Sequence, residues 1–155
     1  MRPEDAVHYA VAAAKMSPCA KSKRGVVIFD SEGVIETGFN APAAGVCGGT
    51  DECRAACNKI CVHAEMDALR HAEHCYADGH LGELGCLDLL HIKVVDGLPV
   101  PSGPPSCWQC SRMILYSGLI ERVWLLHDAG WSAYSAAEFH RQTLRTCGLP
   151  LFEAP

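Results

Sequence analysis

The sequence predicts an α/β fold, a three-layer α/β/α sandwich around a mixed central sheet that opens with an N-terminal hairpin. Three observations lead to it. Two β-branched, apolar runs, Gly25 to Phe29 and Val34 to Phe39, flank the turn-forming Asp30-Ser31-Glu32-Gly33, the pattern of two antiparallel strands joined by a short turn. In the second half, helical and extended patterns alternate, as they do where helices cover both faces of a sheet. At 155 residues and 49% hydrophobic content, the chain is long enough to bury a core and leaves no room for a second catalytic domain, so residues 1–155 are read as one domain.

Taken in order, Pro3 to Lys15 carries Pro and two acids at its front and Ala6, Val7, Tyr9, Ala10, Ala13 and Ala14 behind, an opening helix that Pro18 ends. The hairpin follows. Asn40 to Asn58 is rich in Gly, Ala and Cys and shows no long amphipathic period, so something other than an apolar face must order it, and a metal would serve. Cys61 to His74 places Val62, Met66, Ala68, Leu69 and Ala72 on a helical period, with His63 and Glu65 at the helix start. Leu89 to Val95 reads as a buried strand, and Gly97 to Ser106, with four prolines, as a loop. Trp108 to Ser117 is a helix capped by Gly118, Val123 to Leu126 a short buried strand, and Ala136 to Thr146 a last helix closed by Gly148 and Pro150.

The formal net charge of −5 argues against a large footprint on duplex nucleic acid, which needs clustered Lys and Arg, and a single-stranded substrate would need a basic, aromatic-lined track. A small-molecule substrate is expected instead. Charges interrupt every apolar stretch before membrane-spanning length, and Met1 to Lys15 lacks the basic-then-apolar order of a secretory signal, so a cytoplasmic protein without a membrane partner is expected. In that setting ten cysteines read as metal-bound thiolates rather than disulfides.

The chemistry lies in two short motifs at the beginnings of two helices, His63-Ala64-Glu65 and Cys107-Trp108-Gln109-Cys110. One imidazole and two thiolates make a three-ligand zinc site with an open fourth position, and helix N-termini stabilise the thiolates. Glu65, two residues beyond His63, points elsewhere than the ligand and stays within reach of a water in that position. A purely structural zinc knuckle is the competing reading, but such sites usually close with four protein ligands and have no use for an adjacent acid.

These residues form the H-x-E and Cys-pair signature of the nucleobase deaminases. With Ser17-Pro18-Cys19, Arg24-Gly25-Val26-Val27-Ile28, Gly38-Phe39-Asn40-Ala41-Pro42, Val62-His63-Ala64-Glu65 and Cys110 to Leu126 in the same order, the chain resembles the cytidine and deoxycytidylate deaminase superfamily, above all the dCMP deaminases. The resemblance implies hydrolytic deamination of a cytosine-type nucleotide, dCMP to dUMP plus ammonia, by zinc-bound hydroxide with Glu65 shuttling protons. It also implies that the Ala64 amide and the Asn40 side chain bind the base carbonyl and the sugar, and that the protein forms a homo-oligomer. Some phage dCMP deaminases carry a second, structural zinc, whose ligand positions correspond to Cys19, Cys47, Cys53 and Cys57, with Cys61 as an alternative.

The chain departs from the family in Ser106, which stands where a Pro usually precedes the first Cys of the pair, and in Asp67, which replaces an Asn after the glutamate. Asp128 occupies the place of a base-stacking aromatic, with Trp131 and Tyr134 near enough to substitute and Trp108 a further pocket candidate. These departures keep open the same chemistry on a free base, nucleoside or other amino-heterocycle, and, in another class, a non-catalytic zinc-stabilised binding module. Lys21, Lys23 and Arg24 are phosphate candidates or surface charges. His71, His74, His80, His91 and His140 are read as surface or satisfied core histidines, and Cys75, Cys86 and Cys147 as buried small residues.

Overall fold

In the computed structural model, which describes residues 1–79 and 87–151, helix α1 (Pro3–Met16) begins with Pro at its first position, where no N–H is required, and with Glu4 and Asp5 at the positive end of its dipole. Strands β1 (Lys23–Phe29) and β2 (Val34–Phe39) form the expected antiparallel hairpin, whose turn Asp30 holds by accepting the amides of Glu32 and Gly33.

The next segment differs from expectation. A two-residue strand β3 (Ala41–Pro42) leads to helix α2 (Asp51–Ile60), and β4 (Cys61–Val62) returns to pair with β3. Helix α2 buries none of its residues, which is why no apolar period announces it. Thr50 caps it by accepting the Cys53 amide at 3.2 Å, and Asp51 and Glu52 sit in its first turn. Because Cys61 and Val62 are extended, helix α3 (Ala64–Ala77) begins later than expected, with His63 as its N-cap. His80 and Cys86 lie outside the described residues.

Strand β5 (Leu87–Val95) turns through Asp96 and Gly97, both at positive φ (51° and 80°), into β6 (Leu98–Val100), so the proline-rich stretch opens as a strand rather than a loop. Pro99 is accommodated because β6 is a short strand that pairs only with β5. Helix α4 (Trp108–Ser117) stops at Gly118 in the left-handed region (φ 68°) and feeds β7 (Ile120–His127). An unforeseen strand, β8 (Gly130–Ser135), pairs antiparallel with β7 before helix α5 (Ala136–Thr146).

Among the described residues the main sheet is mixed and runs β2-β1-β5-β7-β8, with β5 and β7 parallel and β6 added to β5. Alternation along the strands divides the core. Val27, Phe29, Leu90, Ile92 and Val94 meet Ala6, Ala10 and Ala14 of α1, while Val26, Ile28, Leu89, Val123 and Leu125 meet α3, α4 and α5. The three-layer α/β/α sandwich is therefore present. Two glycines set its thickness: a Cβ on Gly25 would stand 2.0 Å from the Ala10 carbonyl oxygen, and one on Gly38 2.5 Å from that of Ala64. No helix among the described residues is long and apolar enough to cross a membrane.

Candidate active site

The N-termini of α3 and α4 converge on the face of the sheet opposite α1, by the carboxyl ends of the parallel strands β5 and β7, where open α/β sheets commonly bind ligands. His63 and Cys107 are the two N-caps, and the Cys107 sulfur accepts the Cys110 amide at 3.5 Å. Cys110 Sγ lies 3.3 Å from His63 Nδ1, and the donor atoms of His63, Cys107 and Cys110 all fall within 4.8 Å of one another. Bonds of about 2.0–2.3 Å around a tetrahedral zinc put neighbouring ligand atoms roughly 3.3–3.8 Å apart, so the three residues fit that ion.

The protonation pattern suits the same purpose. The hydrogen bond from Cys110, then that from His63, brings the Cys107 thiol down to about 5 against the opposing effect of burial. Beside that thiolate, and buried, the Cys110 thiol is pushed far up. His63 is raised chiefly by its bond to Cys107.

Glu65, in the first turn of α3, faces this cluster with its side chain 13% exposed. Burial is the largest influence on its carboxyl and acts upward, yet His91, His63, its own backbone amide and Arg24 together outweigh it and hold the group below the usual range. His91 of β5 is 8% exposed, with Nε2 3.9 Å from Glu65 Oε1, and burial lowers its ring pKa. Reading His91 as an ordinary core or surface histidine missed it. The available signal was a polar side chain inside the apolar run Leu89-Leu90-His91-Ile92.

His63, Cys107, Glu65, Arg24 and His91 line a cavity of about 520 Å³, within the range of small-molecule sites. Asn40, Ala64, Ser106 and Trp108 line it too. Asn40 is buried: its Oδ1 accepts the Ser17 hydroxyl at 2.9 Å and the Arg24 amide at 2.7 Å, and its Nδ2 donates to the Ser22 carbonyl at 2.8 Å. Much of its bonding capacity therefore ties the end of α1 to the hairpin. Trp108 is 40% exposed beneath the Arg112 guanidinium. Lys21 and Arg24 reach the cavity, joined by Lys59 of α2, which the sequence reading did not single out, whereas Lys23 donates to the Ser17 carbonyl instead.

Three expected substrate contacts lie elsewhere. Asp128 and Tyr134 line a separate cavity of about 380 Å³ that shares only the wall Gly103, Pro104 and Pro105 with the first, and Tyr134 bonds His127 at 2.9 Å. Trp131 packs on the α1 side. The cause is β8: residues 131 and 134, three apart on a strand, project from opposite faces. Asp67 accepts the Phe39 amide at 3.1 Å and joins α3 to β2, while His71 and His74 are exposed. Cys75 and Cys147 are half-buried rather than core residues, and their thiols donate to Glu36 Oε1 and the Ser106 carbonyl.

The other cysteines gather beside the cavity, in pairs. Cys47 and Cys53 sulfurs are 3.9 Å apart, and Cys57 and Cys61 sulfurs 3.6 Å apart. Amides of Ala20 and Gly49 lower the Cys47 thiol, helped by Cys53 and Cys19, whereas burial and then Cys57 push Cys61 up to about 12. Among the described residues, however, His63, Cys107 and Cys110 are the one set of three or more donors drawn within 4.8 Å.

No protein-family model matches the sequence, and no curated protein does. Solved structures do match. A cytidine deaminase from Burkholderia pseudomallei aligns over 90% of this chain and 96% of its own, at 19% identity and a TM-score of 0.61. A dCMP deaminase from the cyanophage S-TIM5, in complex with dCMP and dUMP, aligns over 79% of this chain and 81% of its own, at 22% identity and a TM-score of 0.54. At these identities the likeness establishes architecture: the chain has the fold of the cytidine and dCMP deaminases, with a His-Cys-Cys cluster that fits zinc.

Proposed function

We propose that the chain is a zinc-dependent deaminase that converts dCMP to dUMP and ammonia. The observation that carries this reading is a carboxylate, Glu65, that is 13% exposed and lines one cavity with His63 and Cys107 of the three-donor cluster. Held by His63, Cys107 and Cys110, zinc would supply a Lewis acid able to bring the pKa of a water from about 15.7 to about 7. Glu65 takes a proton from the attacking water and delivers protons to N3 and to the departing 4-amino nitrogen. A C4–O bond forms, the C4–N bond breaks, and ammonia leaves a uracil ring. Ala64 is the first residue of α3, so its amide has no acceptor within the helix and donates to the base carbonyl, and the second Nδ2 hydrogen of Asn40 serves the sugar.

Charge favours a nucleotide. In a chain of net charge −5, the cavity is lined by Lys21, Arg24 and Lys59 against one carboxylate, Glu65, which suits a phosphate. That the cyanophage enzyme was solved with dCMP and dUMP points the same way. The likeness to a cytidine deaminase favours a second reading, the same chemistry on a nucleoside. Ammonia release from dCMP, CMP, deoxycytidine, cytidine and cytosine separates them: the highest kcat/KM is expected for dCMP, and equal turnover of deoxycytidine refutes the nucleotide assignment.

A second zinc, held by four of Cys19, Cys47, Cys53, Cys57 and Cys61, is part of the same proposal. The two close sulfur pairs support it, since α2 has no apolar face to order it and metal binding would supply that order. Purified protein should contain two zinc ions per chain, falling to one in Cys53→Ser/Cys57→Ser; one zinc in the unaltered protein removes the second site. A homo-oligomer is the proposed assembly, supported by Leu115 and Tyr116 exposed on α4, and sedimentation showing a monomer would refute it.

A further inference from the structure

Resting on the deaminase reading, we propose that His91 is a positioning residue for Glu65, its Nε2–H holding the carboxylate in the orientation from which protons move.

The fold alone gives no reason for a histidine at this position. Strand β5 is paired on both sides at residue 91, to Val26 of β1 and to Leu125 of β7, and its neighbours on the same face belong to the apolar core. A buried ring without a hydrogen-bonding role costs stability relative to an aliphatic residue. His91 is 8% exposed, lines the cavity, and makes no hydrogen bond to another described residue. Glu65 faces it, at 3.9 Å from Nε2 to Oε1.

The geometry suits orientation. The two ladders fix the His91 backbone, whereas Glu65 carries three side-chain torsions of its own, so the histidine is the fixed partner and the carboxylate the adjustable one. Closing the contact from 3.9 Å to the 3.2 Å of a hydrogen bond needs a movement of about 0.7 Å, and catalytic hydrogen bonds commonly tighten only once substrate is bound. A carboxylate that serves an attacking water and then two nitrogens must keep its oxygens aimed, and a misplacement of about 1 Å costs on the order of 100-fold in rate.

The test compares His91→Leu, which keeps volume and loses the donor, with His91→Gln, whose amide restores an N–H at similar reach. With dCMP as substrate, His91→Leu should lower kcat by about 10- to 100-fold while KM stays within about 3-fold, and His91→Gln should recover at least about 10-fold of a 100-fold loss. The dissociation constant for dUMP, measured by calorimetry without turnover, should stay within about 3-fold in both, because the inferred contact is to Glu65 and not to the ligand. Unchanged kcat in His91→Leu, or equal losses in both variants with weakened dUMP binding, overturns the proposal. An unaltered protein that releases no ammonia from any cytosine compound removes the deaminase reading and this inference with it, whereas an active parent with an indifferent His91→Leu removes the inference alone.

Discussion

The approach of α3 to β2 ties the packing of the sheet to the geometry of the site, and Gly38→Ala tests that link. An alanine Cβ there would stand 2.5 Å from both the Ala64 carbonyl oxygen and the Ala68 amide nitrogen, and 2.9 Å from the Ala68 Cβ. Two of these atoms are backbone, so no side-chain rotation relieves the clash. Restoring ordinary contact near 3.5 Å requires α3 to move from β2 by about 1 Å. Overpacking of this kind costs about 1–3 kcal/mol, a fall in Tm of roughly 3–10 °C for a domain of this size. Ala64 lies between His63 and Glu65, so the shift also displaces both from Cys107 and Cys110 on α4, and kcat/KM for dCMP should drop by about 100-fold. Gly25→Ala is the control: its Cβ would meet the Ala10 carbonyl oxygen at 2.0 Å and the Ala14 amide at 2.8 Å, pushing α1 away on the opposite face. It should lose at least as much stability yet keep the kcat of the folded fraction. The assay is circular-dichroism melting with ammonia release and zinc content, both measured well below the lower Tm. If Gly38→Ala keeps its kcat/KM while destabilised, or Gly25→Ala loses activity by the same factor, the coupling of β2 packing to the site is wrong.

Other outcomes follow from the site. Glu65→Gln should lower turnover by about 10²- to 10⁴-fold while zinc stays bound, read by kinetics alongside metal analysis; loss of the metal instead would make Glu65 a ligand. A strong chelator should stop ammonia release and added zinc should restore it, whereas activity persisting in metal-free protein would refute the assignment of the three donors. Lys59→Ala should raise KM for dCMP by about 3- to 10-fold and leave that for deoxycytidine unchanged, and an equal rise for both would take Lys59 away from the phosphate. Thr50→Ala removes the cap of α2, worth about 1 kcal/mol, and should speed amide exchange across residues 51–60 with little change in global Tm, because α2 buries no residue.

What could be read from the sequence, and what could not, divides along a physical line. Trp108–Ser117 and Ala136–Thr146 have the boundaries expected of them because their ends are written locally: Cys107 and Ser135 accept the first-turn amides, and Gly118 takes the left-handed conformation. Helix α2 has caps and first-turn acids too, but no apolar face, so periodicity passed over it. The zinc donors are legible for a similar local reason, since each motif places its residues within one turn of one helix and the chemistry of imidazole, thiolate and carboxylate names the partner. His91 and Lys59 are not legible in that way. Their meaning comes from neighbours far along the chain, Val26 and Leu125 beside the one and the hairpin end beside the other.

The misplacement of Asp128, Trp131 and Tyr134 has the same origin. Counting residues from Cys110 treats the chain as a line, but β7 turns back on itself as β8, which carries Trp131 to one face and Tyr134 to the other. The cavity wall that an aromatic there would have formed is built instead from Ser102 to Ser106 and from the end of α2. Both segments hang on features outside the His63-Ala64-Glu65 and Cys107-Trp108-Gln109-Cys110 motifs, the β5–β6 turn at Asp96-Gly97 and the cysteine pairs. Substrate preference can therefore change with those features while His63, Glu65, Cys107 and Cys110 stay fixed, which is why the motifs announce the reaction more clearly than the compound it acts on.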